Sequence, residues 1–518
     1  MRLLLLLALP VAALAQGSLT PTGAPAQTMK SLDQMEPRSP LQDGILGIDH
    51  GTNGAFTIKN PGSYYLTGNL TVTSGDAITI NSANVTLDLG GFTVSSSSAG
   101  SAGSGVTTAP GVFGITIRNG FIRGGVTSAT NGFNGPGLRH GIETSTTHNV
   151  HVEDVTVQGL VGSGITIASG SGIIRSCEAR LCGGVGLRAN QVIDSQARQC
   201  GSTAIFAGTA PDAGNPSLPV ADGIASNCYG ESITGSPGVF ASTATACVGK
   251  SDSGPGIEAR AATACSGQSL SGPGLLAQNA ITCIGTSTSG IGLKASQSAA
   301  HCTGSTQSGA FGLRVATDDT TPVLGTAEGC TGTAATGTGV GLSGGTVSNC
   351  TGTGHAGSGL YALEASNCHG LSRFGTRGLH AEYTATGCYG EITSPSDGGS
   401  SCGLLASSAS NCRGVISGGA GDYADYVGLS ADIAQNCYGN AMIGNGLRAT
   451  TSALNCYGTS MFKDGIGLEV TAGTATSCGG ASGTPFLGFG TALKSGIAVS
   501  CTTAGGTIDA PQKFLGTP

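Results

Sequence analysis

Apolar and polar positions alternate along this chain in short bursts. The pattern is clear in Ala77-Ile78-Thr79-Ile80, in Val85-Thr86-Leu87-Asp88-Leu89, in Gly114-Ile115-Thr116-Ile117 and from Val150 to Val157. A period of two puts the apolar side chains on one face of a strand, and no long 3.6-residue period competes with it. The alternation then gives way to a longer beat. Sixteen of the 18 cysteines, Cys177, Cys200, Cys228, Cys247, Cys265, Cys283, Cys302, Cys330, Cys350, Cys368, Cys388, Cys412, Cys437, Cys456, Cys478 and Cys501, recur at intervals of 18 to 28 residues. Only Cys182 and Cys402 stand outside that series. Ala sits three residues before 14 of the 16, and Gly two residues after 13 of them. A third element, G-[IL]-x-A, follows about ten residues on, as in Ile257-Glu258-Ala259, Leu275-Leu276-Ala277, Leu293-Lys294-Ala295 and Leu447-Arg448-Ala449.

One repeat therefore reads as a short strand, a glycine turn, a second short strand and a corner. No repeat buries its apolar face alone, and stacking in register closes Leu on Leu, Ala on Ala and Cys on Cys. The expected fold is all-β, a right-handed parallel β-helix with internal Cys, Ala and Leu ladders. At about 4.8 Å per coil the laddered part spans on the order of 75 Å. A left-handed hexapeptide helix requires a stricter beat, and helical repeats require fewer glycines. Residues 44–176 read as the N-terminal cap and first coils, 177–501 as the Cys-ladder coils and 502–518 as a tail.

Composition agrees with a thin, repetitive core. Gly accounts for 91 of 518 residues, only 10% are charged, and Trp is absent. Mean hydropathy is positive, at +0.15, which separates the chain from a disordered Gly/Ser linker. The net charge of −7 comes with no cationic run, so nucleic acid is not an expected partner. The opening MRLLLLLALPVAALA has a short positive start, an apolar stretch and the A-x-A site Ala13-Leu14-Ala15. It reads as a signal peptide over 1–15, with Gln16 as the mature start and a secreted or outer-surface location. No cysteine marks a lipid anchor at that site, and no segment is long enough for a transmembrane helix. Residues 16–43, rich in Pro and polar groups, read as an extended arm, either a linker or a device for homo-oligomerisation.

PGSYYLTGNLTV, NVTLDLGGFTV and ITIRNGFIRGG, with the arm TPTGAPAQTMKSLDQMEPRSP, resemble secreted right-handed parallel β-helix repeat proteins of planctomycete- and verrucomicrobium-type bacteria. The specific likeness covers roughly residues 17–125. It implies right-handedness and secretion, and no particular activity.

An exported chain with an even cysteine count invites disulfides. In-register thiols point the same way, however, which suits the disulfide torsion poorly. They read instead as stacked, reduced filler, since free Cys behaves as a small hydrophobe. No C-x2-C pair signals zinc, and no cofactor motif is present.

Two groups of residues carry candidate chemistry. The densest ionisable stretch holds Arg118, Arg123, Arg139, His140, Glu143, His148, His151, Glu153 and Asp154. Among these, Arg118, Arg123, Arg139, His140 and Asp154 are candidate catalytic groups for a polysaccharide lyase or hydrolase acting on an acidic glycan. Glu153 and Asp154 are strand neighbours and should face opposite ways, so no aligned pair of acids emerges. The second group follows the ladder. If each Cys faces inward, the next residue faces outward: His369, Tyr389, Arg413, Tyr438 and Tyr457 on five consecutive coils, over about 19 Å. An aromatic and cationic line suits sugar rings and hydroxyls, while the plainer reading is a self-stacking ladder. The enlarged coils from Cys388 to Cys437, with Asp422-Tyr423-Ala424-Asp425-Tyr426, could wall it. Asn227, Asn349, Asn367, Asn411, Asn436 and Asn455 precede their cysteines and read as corner residues bonding between coils. The favoured function is a non-catalytic surface protein, structural or glycan-binding; the alternatives are a polysaccharide lyase or hydrolase, or a trimeric spike.

Overall fold

In the computed structural model the chain is a parallel β-helix. The structure describes residues 38–514 except 44–46, 131, 145–147, 168–171, 209–222, 317–324, 396–399, 419–425, 463 and 485–487. Residues 1–15, read as a signal peptide, and most of the stretch read as an arm lie outside these. Among the described residues there are strands and turns but no helix.

Each coil contributes to three parallel sheets. Sheet 1 holds the four-residue strands that follow the ladder cysteines, such as Val248–Ser251, Ser266–Ser269 and Ile284–Ser287, paired residue for residue. Sheet 2 holds the G-[IL]-x-A segment and sheet 3 the A-x-x-C segment. In Ile257–Thr263 the two run on with a bend, so Ile257 and Ala259 pair with Leu275 and Ala277 in one sheet, and Ala262 with Ala280 in the next. The core is a set of columns: Ile257, Leu275 and Leu293 for sheet 2, Ala262, Ala280 and Ala299 for sheet 3, with cysteines at the corner between sheets 3 and 1. Glycines close the narrow side. A Cβ on Gly304 of sheet 1 would collide with the Gly312 carbonyl oxygen of sheet 2, so these two sheets approach more closely than side chains allow.

The corner before each ladder cysteine is made by a left-handed residue. Asn349, Asn367 and Asn436 have φ of 53°, 52° and 54°. Asn reaches this region more readily than most residues because its short amide bonds locally. The expected amide ladder is present: Asn436 Nδ2 donates to Asn411 Oδ1 at 3.2 Å, and Asn455 Nδ2 to Asn436 Oδ1 at 3.2 Å.

All 18 cysteines are free and buried. The backbone N–H of one rung donates to the sulfur of the next, as from Cys302 to Cys330 Sγ at 3.4 Å and from Cys330 to Cys350 Sγ at 3.2 Å. The sequence-based series needs one correction. Cys200 is not in this file; Ser195 takes its rung, with Cys177 N donating to Ser195 Oγ at 3.1 Å. Cys200 lies one corner later, at the C-terminal end of the sheet 1 strand Gln196–Cys200, in the coil after Cys182. The reason is local: Asp194 and Gln199 both adopt the left-handed conformation, so two corners carry the same turn-then-small-residue signature, and the second, Ala197-Arg198-Gln199-Cys200, is the one that reads A-x-x-C while the first ends in Ser195. Cys402 stands apart, in sheet 2 between Arg377 and Val427.

The early coils join the same three sheets, with Val, Ile and Leu in place of Ala and Cys. The antiparallel pair Ile48–His50 and Phe56–Ile58 lies at the N-terminal end. Arg38–Pro40, read as the end of the arm, pairs in parallel with Gly62–Tyr65, and Leu41 is fully buried. The stretch read as a tail is one more coil, with Thr502–Thr503, Thr507–Asp509 and Gln512–Phe514 in sheets 1, 2 and 3.

Candidate functional site

The inward cysteine and inward glycine of each sheet 1 strand force the residue between them outward. That rule places His369, Tyr389, Arg413, Tyr438 and Tyr457 in one column, paired coil by coil. Their side chains touch in sequence. The His369 and Tyr389 rings stack with centroids 4.8 Å apart and planes 19° from parallel. The Arg413 guanidinium lies between two rings, 5.4 Å from the Tyr389 centroid and 5.4 Å from that of Tyr438. Tyr438 and Tyr457 stack at 6.1 Å and 5°. The ring of Tyr457 then covers Gly479, where any Cβ would strike it.

The phenols reach across the sheet to its second outward column. Tyr389 Oη donates to Glu391 Oε2 at 2.7 Å, and burial together with this bond pushes its pKa up to about 12. Tyr438 Oη is 3.2 Å from Thr459 Oγ1 and accepts from Asn440 Nδ2 at 3.3 Å. The rings thus stand on edge across the sheet, facing one another along the rod. What the solvent meets is a row of ring edges, one guanidinium and anchored hydroxyls. N-terminal to it, the outward positions from Ser266 to Thr353 continue uncharged, with Thr303, Ser305, Thr331 and Thr333 among them. The expected wall differs: Tyr426 is wholly buried against Ile392 and Ile416, and 419–425 lie outside the described residues.

The N-terminal ionisable stretch is distributed over different faces. Arg118 and Glu153 pair in register on sheet 3. Arg118 Nε lies 3.3 Å from Asp88 Oδ2, which Arg38 also meets at 3.3 Å, so this arginine belongs to a structural charge pair. Arg123 is on sheet 1, beside Ser95 and Gln158. Arg139 precedes the sheet 2 strand His140–Thr144. The imidazole of His140 accepts the Ser163 N–H at Nδ1, 3.1 Å away, and burial lowers its pKa. Asp154 is not the inward neighbour of Glu153; it is an exposed corner residue with φ 53°. An inward Asp would be buried without a partner, and the left-handed corner avoids that. His151 and Glu153 line an open hollow of about 520 Å³ with Asn84, Thr86, Thr116 and Asn149.

A further constellation lies on sheet 2, where each coil points one residue outward, the x of G-[IL]-x-A. Successive coils place Lys294, Arg314, Ser343, Tyr361, His380, Leu405, Ser430, Arg448 and Glu469 there. Tyr361 Oη donates to Glu382 Oε1 at 2.8 Å, and its pKa rises to about 12 through burial and that bond. Arg377 Nη1 lies 2.8 Å from His380 Nδ1. His380 Nε2 is 3.8 Å from Glu382 Oε1. Burial, then Arg377, holds the His380 pKa down at about 4 against the opposing pull of Glu382. Four coils beyond His380, Arg448, Lys494 and Asn445 surround the buried carboxylate of Glu469 at 3.1, 3.4 and 2.8 Å. Each repeat offers a second outward signal in its sequence besides the residue after Cys: the x of G-[IL]-x-A, which is Tyr361 and His380 on adjacent coils. Among the described residues no group of three His, Cys, Asp or Glu side chains is placed to hold a metal ion.

Fold and faces together define the class as an all-β parallel β-helix protein. No family model matches the chain, and no curated protein matches it. Two solved structures are similar. One is the A-module of mannuronan C-5 epimerase AlgE6 from Azotobacter vinelandii, with 11% identity, 88% of this chain and 90% of that one covered, and a TM-score of 0.20. The other is ORF18 of Geobacillus virus E2, with 11% identity, 74% and 56% covered, and a TM-score of 0.16.

Proposed function

We propose that this protein is an exported rod, of the planctomycete- and verrucomicrobium-type β-helix kind, that binds an extracellular glycan along the outer face of sheet 1. The observation that carries this reading is the in-register column from His369 to Tyr457, continued by uncharged hydroxyl positions. Ring edges and anchored phenols offer apolar ridges beside hydroxyl partners, the pairing that a sugar's C–H and O–H groups require. A glycan laid along the rod meets an equivalent position about every 4.8 Å. Export rests on the signal-like start, and no described helix is long and apolar enough to cross a membrane. The N-terminal arm serves in this reading as the link to a second copy or to the cell surface.

A glycan array with the purified protein tests it. Tyr438→Ala and Tyr457→Ala should each weaken retention about tenfold, which is about 1.4 kcal/mol, with the far-ultraviolet circular dichroism unchanged. Binding that survives both changes together would leave the column as structural cover.

A further inference from the structure

We propose that sheet 2 carries a second site, in which Tyr361, Glu382 and Arg377 cleave (1→4)-linked polyuronates by β-elimination, with His380 as the positioning residue. This goes beyond glycan binding on sheet 1 and stands on a different face.

The arrangement begins with His380. An arginine N–H can only donate, so its approach to Nδ1 requires a lone pair there, and the ring hydrogen must sit on Nε2. That hydrogen faces Glu382. Tyr361, perpendicular to the imidazole at 5.1 Å, donates to the same carboxylate oxygen. Glu382 is thus a carboxylate hydrogen-bonded by the phenol of the preceding coil and faced at 3.8 Å by the neutral imidazole of its own strand. Its side chain is 42% exposed, whereas His380 as a residue is 9% exposed. The carboxylate is open to a ligand and the imidazole is a wedge behind it. Arg377 spends one N–H group on His380, and the rest of its guanidinium has no protein partner among the described residues. A carboxylate base, a phenol proton donor and an arginine that can hold a substrate carboxylate therefore converge on one outward patch.

The chemistry closes without an added reagent. Arg377 neutralises the uronate carboxylate, which acidifies the C5 hydrogen. Glu382 takes that proton, the electron pair forms the C4=C5 double bond, and the C4–O4 bond breaks. The Tyr361 phenol gives its proton to the departing O4. The proton on Glu382 then passes to the phenolate across the hydrogen bond already present, restoring both groups. Base and acid adjoin one another, so the hydrogen and oxygen removed must lie on the same ring face. Glucuronate and mannuronate meet that condition, and galacturonate, whose C4 oxygen is on the opposite face, does not.

The full chain should be incubated separately with polyglucuronate, polymannuronate and polygalacturonate, and the ultraviolet absorbance of the unsaturated uronate followed. The expected result is product from the first two polymers and none from the third. Tyr361→Phe and Glu382→Gln should each abolish it, while Tyr383→Phe, on the exposed neighbour, should not. His380→Gln should raise KM more than it lowers kcat, because it removes the wedge and leaves base and acid in place. Circular dichroism checks that each variant folds, and retention on the glycan array tests sheet 1 separately. The proposal is overturned if neither syn polymer yields product, if polygalacturonate is the polymer cleaved, or if folded Tyr361→Phe remains fully active.

Discussion

At the residue scale, the account depends on what each corner tolerates. Ser195 shows that a hydroxyl can replace a thiol in the file, its Oγ donating to the Ile193 carbonyl at 2.7 Å while accepting from Cys177 N. Cys302→Ser should therefore cost about 1 kcal/mol in denaturant unfolding. Cys302→Leu adds volume to a closed column and should cost roughly 1–3 kcal/mol. A larger loss with Ser than with Leu would mean that the thiols do more than fill space. Burial pushes the thiols of Cys177, Cys182 and Cys402 up to about 12, so they remain protonated and unreactive at neutral pH. His380 gives a pH dependence of definite sign. Its pKa falls from 6.5 in the unfolded chain to about 4 in the folded one. Between these values the unfolded state binds more protons, so stability present above pH 6.5 is lost as the pH falls toward 4. Thermal unfolding of His380→Gln should vary less with pH across that window than unfolding of the natural chain.

At the scale of the element, the alternation and the three-part repeat told which side chains face inward. Ile257, Ala259, Ala262 and Cys265 are all inward, as the spacing required. The outward column after Cys was legible for the same reason, because a strand between two buried positions leaves no choice for the residue between them. Two things were not legible. The misplacement of Cys200 arose because two corners of one coil share a local signature, and only pairing across coils separates them. The Tyr361–His380 constellation is invisible to composition because its members lie up to 21 residues apart in sequence and meet only through stacking. The close approach of sheets 1 and 2 was also hidden, since a glycine read as a turn residue looks identical to one read as a contact. Gly304 is the second kind: its φ lies outside the left-handed region, and the cost of a side chain there is collision with Gly312. Gly304→Ala should destabilise the coils around it, seen as faster amide exchange in Thr303–Thr306 and Phe311–Val315 than at distant coils.

At the scale of the whole molecule, each coil rests on its two neighbours, so stability is close to a sum of coil and interface terms. The coil from Ser266 to Cys283 is a complete 18-residue repeat whose removal would bring Cys265 before Ile284, a position equivalent to the one Ser266 now holds. Deletion of 266–283 should therefore leave a folded, shorter rod by circular dichroism and small-angle scattering. Deletion of 266–274, half a coil, should not, because every later side chain would arrive at the wrong sheet. The rod also explains why charge is sparse. From Ser266 to Thr353 the outward positions of sheet 1 carry no charge, while on sheet 2 Arg448, Lys494 and Glu469 meet through the stacking of successive coils.

The most direct test is to locate the sulfurs by anomalous scattering from crystals of the full chain. Fifteen of them, from Cys177 to Cys501 and omitting Cys200, should lie in single file about 4.8 Å apart, with the Ser195 oxygen filling the vacant rung and Cys182, Cys200 and Cys402 off the line. Cys200 in line between Cys177 and Cys228, or sulfurs joined in pairs or dispersed through the molecule, would contradict the coil assignment and both faces built on it.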